Sequence, residues 1–338
     1  MLDISLSNVS IRALQGVELA VPAGSHAAVV GPPGCGASTL LRVIAGDLRP
    51  DRGEVRLGAR VVNDLPRRRR PLLFATSDAE APGRWSVQHL LVAAVRTRTL
   101  DREDRLHELG LAASKWRLEG LLERRLDSLS STERALANLA RIELMRPGIL
   151  IADRLLEHVN PSALPALSDE LYRTLRVLGA TVVVAPSSPI ELGMMDALIV
   201  LDRGRVVQHG VASHVYRQPA SEAAARATGE VNVIPVAVRG REVDSVIGAW
   251  TVDAPPFQGS GVALARPSDF TVAQPGEESD VILAVEEASF YGGAWHVRGI
   301  LTGALMLHVE LPGDAAVHKG KLLALKYDSA RFRLVATN

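Results

Sequence analysis

Apolar and polar residues alternate at Leu2-Ile4-Leu6 and again at Val17-Leu19-Val21, the period-two pattern of antiparallel strands, given residue by residue with its polar partner between. His26 to Val30 follows as an apolar strand, runs into a glycine-rich stretch, and gives way to a helix ending near Gly46. Leu72-Leu73-Phe74 reads as another strand. From Ser86 to about Met145 the spacing changes to three and four residues, at Leu106 and Leu109 and at Leu118, Leu121, Leu122 and Leu126, which predicts a mostly helical segment. Gly148 to Asp153 is a buried strand ending in a carboxylate, and Thr181 to Ala185 is a further strand. Leu198-Ile199-Val200-Leu201 forms a hairpin with Arg205-Val206-Val207 across an Asp202-Arg203-Gly204 turn. At Gly229-Glu230-Val231-Asn232 the helical spacing stops, and short strands broken by Gly, Pro and Asp begin. The pattern predicts an α/β domain over 1–228, helical at about 86–145, and a small all-β domain over 229–338.

A length of 338 residues accommodates two domains, and an apolar fraction of 47% supplies both cores. Lysine plus arginine, 38 residues, balance 38 acidic ones, so no overall field draws the chain to nucleic acid or anionic membrane. The one cysteine, Cys35, rules out an internal disulfide framework and suits a reducing compartment. Met1-Leu2-Asp3-Ile4 lacks the basic and apolar segments of a secretory signal. The most apolar run, Thr181 to Leu201, is interrupted by Pro186, Pro189, Glu191 and Asp196. The expectation is a soluble cytoplasmic protein that reaches a membrane only through a partner.

The strand–loop–helix around Gly31, Pro32, Pro33, Gly34, Cys35, Gly36, Ala37, Ser38 and Thr39 has the layout of a phosphate-cradling P-loop. Its glycines let the backbone turn several N–H groups inward, and the helix N-terminus adds positive potential. The motif requires Gly-x4-Gly-Lys-Ser/Thr; here the lysine position is Ala37, and Cys35 reads as a spacer. Continued through Gly46, Leu48-Arg49-Pro50 and Gly53-Glu54-Val55, the stretch resembles the start of an ATP-binding-cassette (ABC) transporter nucleotide-binding subunit. The resemblance implies an α/β P-loop NTPase fold with a helical subdomain, binding ATP and Mg2+. Val262-Ala263-Leu264-Ala265-Arg266-Pro267, Phe290-Tyr291-Gly292-Gly293 and Leu325-Lys326-Tyr327-Asp328 resemble the OB-like TOBE domain at the C-terminus of many import ATPases.

Against that family pattern the chemical positions have changed. No aromatic stands between Val9 and Gly16 to stack on adenine, and the glutamine that touches metal and water falls at Ala75 or Ser77, Gln88 being too far along. The Leu-Ser-Gly-Gly-Gln signature reads Leu129-Ser130-Ser131-Thr132-Glu133, where side chains replace the glycines that permit close approach to a phosphate. The same residues make an ordinary helix start, with Ser130 or Ser128 as cap and Glu133 in the first turn. Ser38 and Asp153 are the residues that would hold Mg2+. Arg154 stands where the family has its general-base glutamate, and an arginine accepts no proton. It is expected either to pair with Asp153 in an empty pocket or to approach phosphate from the opposite side. The loop that normally ends in Leu-Asp reads Glu157-His158-Val159-Asn160-Pro161, and Pro186, before Ser187, Ser188 and Pro189, occupies the place of the switch histidine. Arg67 to Arg70 read as a solvated turn, His158 and His209 as surface residues, and Tyr291 with Trp295 as barrel packing.

Together these residues predict a pseudo-ATPase, the regulatory or structural half of an ABC-type solute importer. The resemblance implies membrane permease subunits, a second nucleotide-binding subunit in a homo- or heterodimer and, indirectly, a solute-binding protein as partners, with no nucleic acid. The place is the inner face of the cell membrane, held peripherally by the permease. The alternatives are an active ATPase with unusual residues in the catalytic roles, or a ligand-sensing module built on the C-terminal barrel.

Overall fold

Valine, isoleucine and alanine fill His26–Val30, Ile149–Asp153 and Thr181–Ala185, and every residue in them except Asp153 is buried. Strands apolar on both faces are stable inside a parallel sheet that is covered on both sides. The computed structural model describes residues 2–77, 81–274, 276–301 and 305–337, and packing divides them into two compact units, one ending at Ala212 and the other beginning at Ser213. The segment through helix Glu222–Thr228 therefore groups with the second unit, ahead of the change in composition at Gly229.

In the first unit the apolar strands form a six-stranded sheet in the order Arg205–Val211, Ala197–Asp202, His26–Val30, Thr181–Ala185, Ile149–Asp153, Leu73–Thr76. All neighbours are parallel except the edge hairpin, whose turn is made by Arg203 (φ 46°) and Gly204 (φ 78°). Parallel pairing brings the carboxyl ends of the strands to one edge: Thr76 lies opposite Asp153, Asp153 opposite Ala185, and the glycine loop follows Val30. Every candidate residue of the nucleotide site except those of the signature leaves the sheet at that edge.

An antiparallel sheet in the order Leu14–Val21, Ile4–Ile11, Arg52–Leu57, Arg60–Val61 shares a core with the P-loop helix Ala37–Ala45. Leu40, Leu41, Val43 and Ile44 are fully buried in it, each contributing about 1.5–3 kcal/mol. The helix stops at Gly46 (φ 90°), and Arg70 completes the stop. Its guanidinium donates to the carbonyls of Val43 and Ile44 at 2.8 and 2.7 Å and to that of Leu65 at 2.8 Å. The basic run thus divides: Arg67–Arg69 form an outlying 3-10 turn, whereas Arg70 is buried, contrary to the solvated turn expected for all four. It is fixed there because carbonyls at a helix end have no partner within the helix.

The helical segment comprises Val87–Val95, Arg102–Lys115 and Ser131–Met145, packed on one another. The leucines at 118–126 do not extend it as α-helix. Leu121 and Leu126 sit on 3-10 turns, Glu119–Leu121 and Leu126–Ser128, and Leu118 and Leu122 flank the first of them, with Leu118 and Leu126 still buried. Among the described residues no helix is long and apolar enough to cross a membrane.

The second unit is all-β and OB-like beyond its two short helices. One five-stranded antiparallel sheet runs Gly248–Thr251, Glu242–Ser245, Asn232–Arg239, Gly259–Ala265, Arg333–Ala336. The other runs Phe270–Val272, Leu322–Tyr327, Val281–Tyr291, Ala294–Leu301, Met306–Pro312. Their alternating inward residues, among them Val238, Phe270, Leu283, Val297, Val309 and Leu325, make its core. Trp295 packs against that core, as expected, but Tyr291 is exposed and stacks on His296 with ring centroids 3.7 Å apart.

Two features of the first unit have measurable consequences. His26 is fully buried, neither ring nitrogen has a hydrogen-bond partner, and its ring lies 5.9 Å from that of Tyr172. Burial, then the charge of Arg176, lower its pKa from 6.5 to about 4, outweighing Asp196 and the Ala180 carbonyl. The unfolded chain therefore takes up a proton, as pH falls through 6.5 towards 4, that the folded chain refuses. The stability from a neutral His26 is complete above that window and lost within it. Between pH 7.5 and 5.0 the wild type should lose about 2 kcal/mol more unfolding free energy than His26→Phe, measured by urea titration at both pH values. Arg70→Ala strips charged donors from the end of the P-loop helix and should lower the unfolding free energy by about 3 kcal/mol, seen as a shifted urea midpoint at unchanged slope.

Candidate functional site

The glycine loop is shaped by steric need. Gly34 (φ 81°) and Gly36 (φ 106°) hold left-handed conformations, and Gly36 is the cap of the P-loop helix, its carbonyl accepting from the Leu40 N–H at 2.9 Å. A Cβ on Gly31 would stand 2.1 Å from the Leu201 carbonyl oxygen. The Cys35 N–H donates to the Pro32 carbonyl at 2.9 Å, and the Cys35 carbonyl accepts from Gly204 at 3.0 Å, which ties the loop to the edge hairpin. Cys35 itself is buried, and burial pushes its thiol pKa up, which suits a spacer and not a nucleophile.

The Ser38 hydroxyl donates to Asp153 Oδ1 at 3.1 Å. These residues lie far apart in sequence, and the sheet edge brings together two hard oxygen donors of the kind that hold Mg2+. Among the described residues no cluster of three or more His, Cys, Asp or Glu side chains could hold a metal ion. The first turn of the helix leaves its N–H groups without intrahelical partners, so the cradle fits a phosphate in shape and dipole. It presents Ala37 where a cationic side chain would complete it. The turn that precedes Leu14 carries Arg12 (φ 36°) and Ala13, with no ring to lie on a base.

Beyond Asp153 the chain turns at Arg154 (φ 49°), whose N–H donates to the Ala185 carbonyl at 2.9 Å. Its guanidinium donates to Glu157 Oε1 at 2.9 Å. Of the two roles expected of Arg154, the pairing with Asp153 is corrected: Asp153 is held by Ser38, and Arg154 by the carboxylate one turn further on. Pro186 follows its strand directly. The next two N–H groups, of Ser187 and Ser188, donate to Glu191 Oε1 at 2.7 and 3.2 Å, while the Tyr172 hydroxyl donates to Glu191 Oε2 at 2.7 Å. Glu191 is fully buried, and burial pushes its carboxyl pKa up against the pull of these bonds. In the sequence Glu191 is only a charge that interrupts an apolar run and Tyr172 carries no signal, although Ser188-Pro189-Ile190-Glu191 has the spacing of a capping box, and one is present.

The signature-like residues start the helix Ser131–Met145 as its cap. Glu133 Oε2 accepts from the Ser130 N–H at 2.7 Å, and Ser130 Oγ accepts from the Glu133 N–H at 3.3 Å. The Ser130 groups, backbone first, hold the Glu133 carboxyl below its usual range, with help from Arg124. Thr132 Oγ1 accepts from the Asn160 N–H at 3.4 Å. Ser131, Thr132 and Glu133 thus cover a helix start that bare glycines would leave open. In the glutamine-loop segment Ala75 is buried and Ser77 half-buried. The Thr76 carbonyl between them accepts from Asn138 of the signature helix at 2.9 Å. Gln88 lies on helix Val87–Val95, as expected.

Comparison with known proteins agrees with this geometry. The family model for ABC transporter matches residues 14–156. An sn-glycerol-3-phosphate import ATP-binding protein, UgpC 3 of Agrobacterium fabrum, is 27% identical over 332 residues, spanning 96% of this chain and 94% of its own. An Fe(3+) ions import ATP-binding protein, FbpC of Streptomyces avermitilis, is 30% identical over 280 residues, 81% of each chain. Among solved structures, the ATP-binding cassette MJ1267 in its ADP conformation superposes with a TM-score of 0.55 at 19% identity, covering 68% of this chain and 100% of that one. The dimeric cassette MJ0796 gives 0.55 at 21% identity, over 62% and 98%. At such identity the structures speak for the fold, while the two sequence relatives extend over 96% and 81% of the chain. The chain belongs to the ABC transporter family and groups with its importer ATP-binding subunits.

Proposed function

We propose that this chain is a cassette of a solute importer that no longer hydrolyses ATP and serves as a structural or regulatory half of the transporter. The observation that carries the reading is at Arg154: the position after Asp153 holds a cation committed to Glu157, not a carboxylate free to polarise water. Loss of a general base costs about 10²–10⁴ in rate, and the changes at Ala37, the signature and Pro186 act on the same transition state. Nucleotide and Mg2+ remain compatible with what is left. Ser38 and Asp153 would hold the metal, and the N–H groups of residues 34 and 36–39 would hold phosphate oxygens, that of Cys35 being spent on Pro32. When bound, Mg2+ neutralises charge on the phosphates.

The import relatives support the remaining parts of the proposal. Membrane permease subunits would carry the chain at the inner face of the membrane, with a solute-binding protein acting indirectly. A second cassette would complete the nucleotide sites. The family plan gives an ABC domain over 1–228 and a TOBE-type regulatory domain over 229–338. In a heterodimer this P-loop would face the partner's signature, and this capped signature would face the partner's P-loop. The latter site is the one left with turnover.

The intact Ser38–Asp153 contact favours the second reading, an active ATPase with other residues in the catalytic roles. One assay separates the two. The purified full chain should release phosphate from MgATP at the rate of its Asp153→Ala variant, and Arg154→Glu alone should not raise that rate. Turnover well above background that disappears in Asp153→Ala would establish the active enzyme instead.

A further inference from the structure

The second unit contains a cavity of about 550 Å³ whose charge is one-sided: four arginines, Arg217, Arg266, Arg331 and Arg333, line it with one acid, Asp269. That acid is already saturated. Its Oδ2 accepts from the Arg266 N–H at 2.6 Å, and its Oδ1 pairs with Arg331 Nε at 3.2 Å. Arg266 is also spent on the fold. Its terminal nitrogens donate to the carbonyls of Ala225, Gly229, Glu230 and Tyr216 and to the Thr228 hydroxyl, and its guanidinium lies 4.1 Å from the centre of the Tyr216 ring.

The other two arginines are not spent. Arg217 is exposed and makes no ion pair among the described residues. Arg333 has its Nε buried without a hydrogen-bond partner, although its neighbours on the strand are fixed by pairing with Gly259–Ala265. A buried donor left unpaired carries an uncompensated desolvation cost, so nothing within the chain compensates the Arg333 Nε. Planar guanidinium groups match the oxygen spacing of phosphate and carboxylate. Leu264, Pro219 and the Phe332 ring supply an apolar wall beside them, and the volume lies within the usual range for small-molecule sites.

We propose that this cavity binds a small organic anion, its phosphate or carboxylate group held by Arg217 and Arg333 and its body resting on the apolar wall. The site lies wholly within the second unit and is independent of whether the cassette hydrolyses ATP. Phosphate could also enter the P-loop, so the test must tell the two sites apart. The full chain is titrated calorimetrically with inorganic phosphate, with citrate and with uncharged glycerol, in about 0.15 M salt to screen loose surface attraction.

Phosphate, citrate or both should bind the wild type and the Ala37→Asp variant alike, because a carboxylate at the helix start repels anions only from the P-loop. Arg217→Ala/Arg333→Ala should weaken that binding at least tenfold, and glycerol should not bind. Binding of phosphate alone assigns a phosphate ligand, and binding of citrate alone a carboxylate ligand. If the double variant fails to fold, the exposed Arg217→Ala replacement carries the test, with a loss of about threefold or more. Absence of binding by both anions, equal binding by glycerol, unchanged affinity in the arginine variants, or loss confined to Ala37→Asp would overturn the proposal.

Discussion

Parallel pairing of three short apolar strands is the constraint on which the cassette depends. Once Ile149–Asp153 pairs with Thr181–Ala185, and that strand with His26–Val30, the register fixes where the chain must leave the sheet. The glycine loop, Asp153 and Pro186 then emerge at the same edge, whatever side chains they carry. The hydroxyl of Ser38 reaches Asp153 across 115 residues of sequence because of that register and because Gly31 lets the loop pass close to Leu201. A fold that rests on backbone pairing and apolar burial is insensitive to the loss of an exposed charge, so the scaffold persists after the chemistry at its edge has changed.

The changes at that edge share a physical character. Under the proposed reading, positions expected to face a nucleotide carry groups that satisfy one another. Arg154 pairs with Glu157, Glu133 closes a capping box on Ser130, and the N–H groups after Pro186 turn back to Glu191. Each arrangement is a stable local structure that needs no ligand. The P-loop differs: Ala37 brings no cation to it, and the first turn of its helix keeps N–H groups without intrahelical partners. A site whose surroundings have become self-sufficient while its cradle remains is what a retained structural or regulatory role would leave behind.

The sequence showed those parts of the molecule that depend on local pattern. Alternation and continuous apolar runs located the strands, the glycine spacing located the loop, and Ser130 with Glu133 announced a cap that the structure contains. It was silent where a residue's role depends on a distant partner. Arg70 looks like its neighbours Arg67 to Arg69, yet it alone is buried, because the end of the P-loop helix lies beside it in space only. The leucines at 118–126 have helical spacing, but Leu118 and Leu126 are buried beside and on 3-10 turns, since periodicity reports which residues face inward and not the hydrogen-bond pattern beneath them. Of the two roles the sequence suggests for Arg154, pairing with Asp153 fails for a related reason: adjacency to Asp153 counts for less than the turn at Arg154, which carries its side chain to Glu157.

The central claim is that the phosphate cradle keeps its shape and lacks its charge. Equilibrium titration of MgATP into the full chain and into Ala37→Lys tests it most directly, because the substitution adds the missing cation and leaves the backbone unchanged. A charge-assisted contact of about 1.5–3 kcal/mol predicts roughly 10- to 150-fold tighter binding by the variant. Equal affinity in the two proteins would contradict the account.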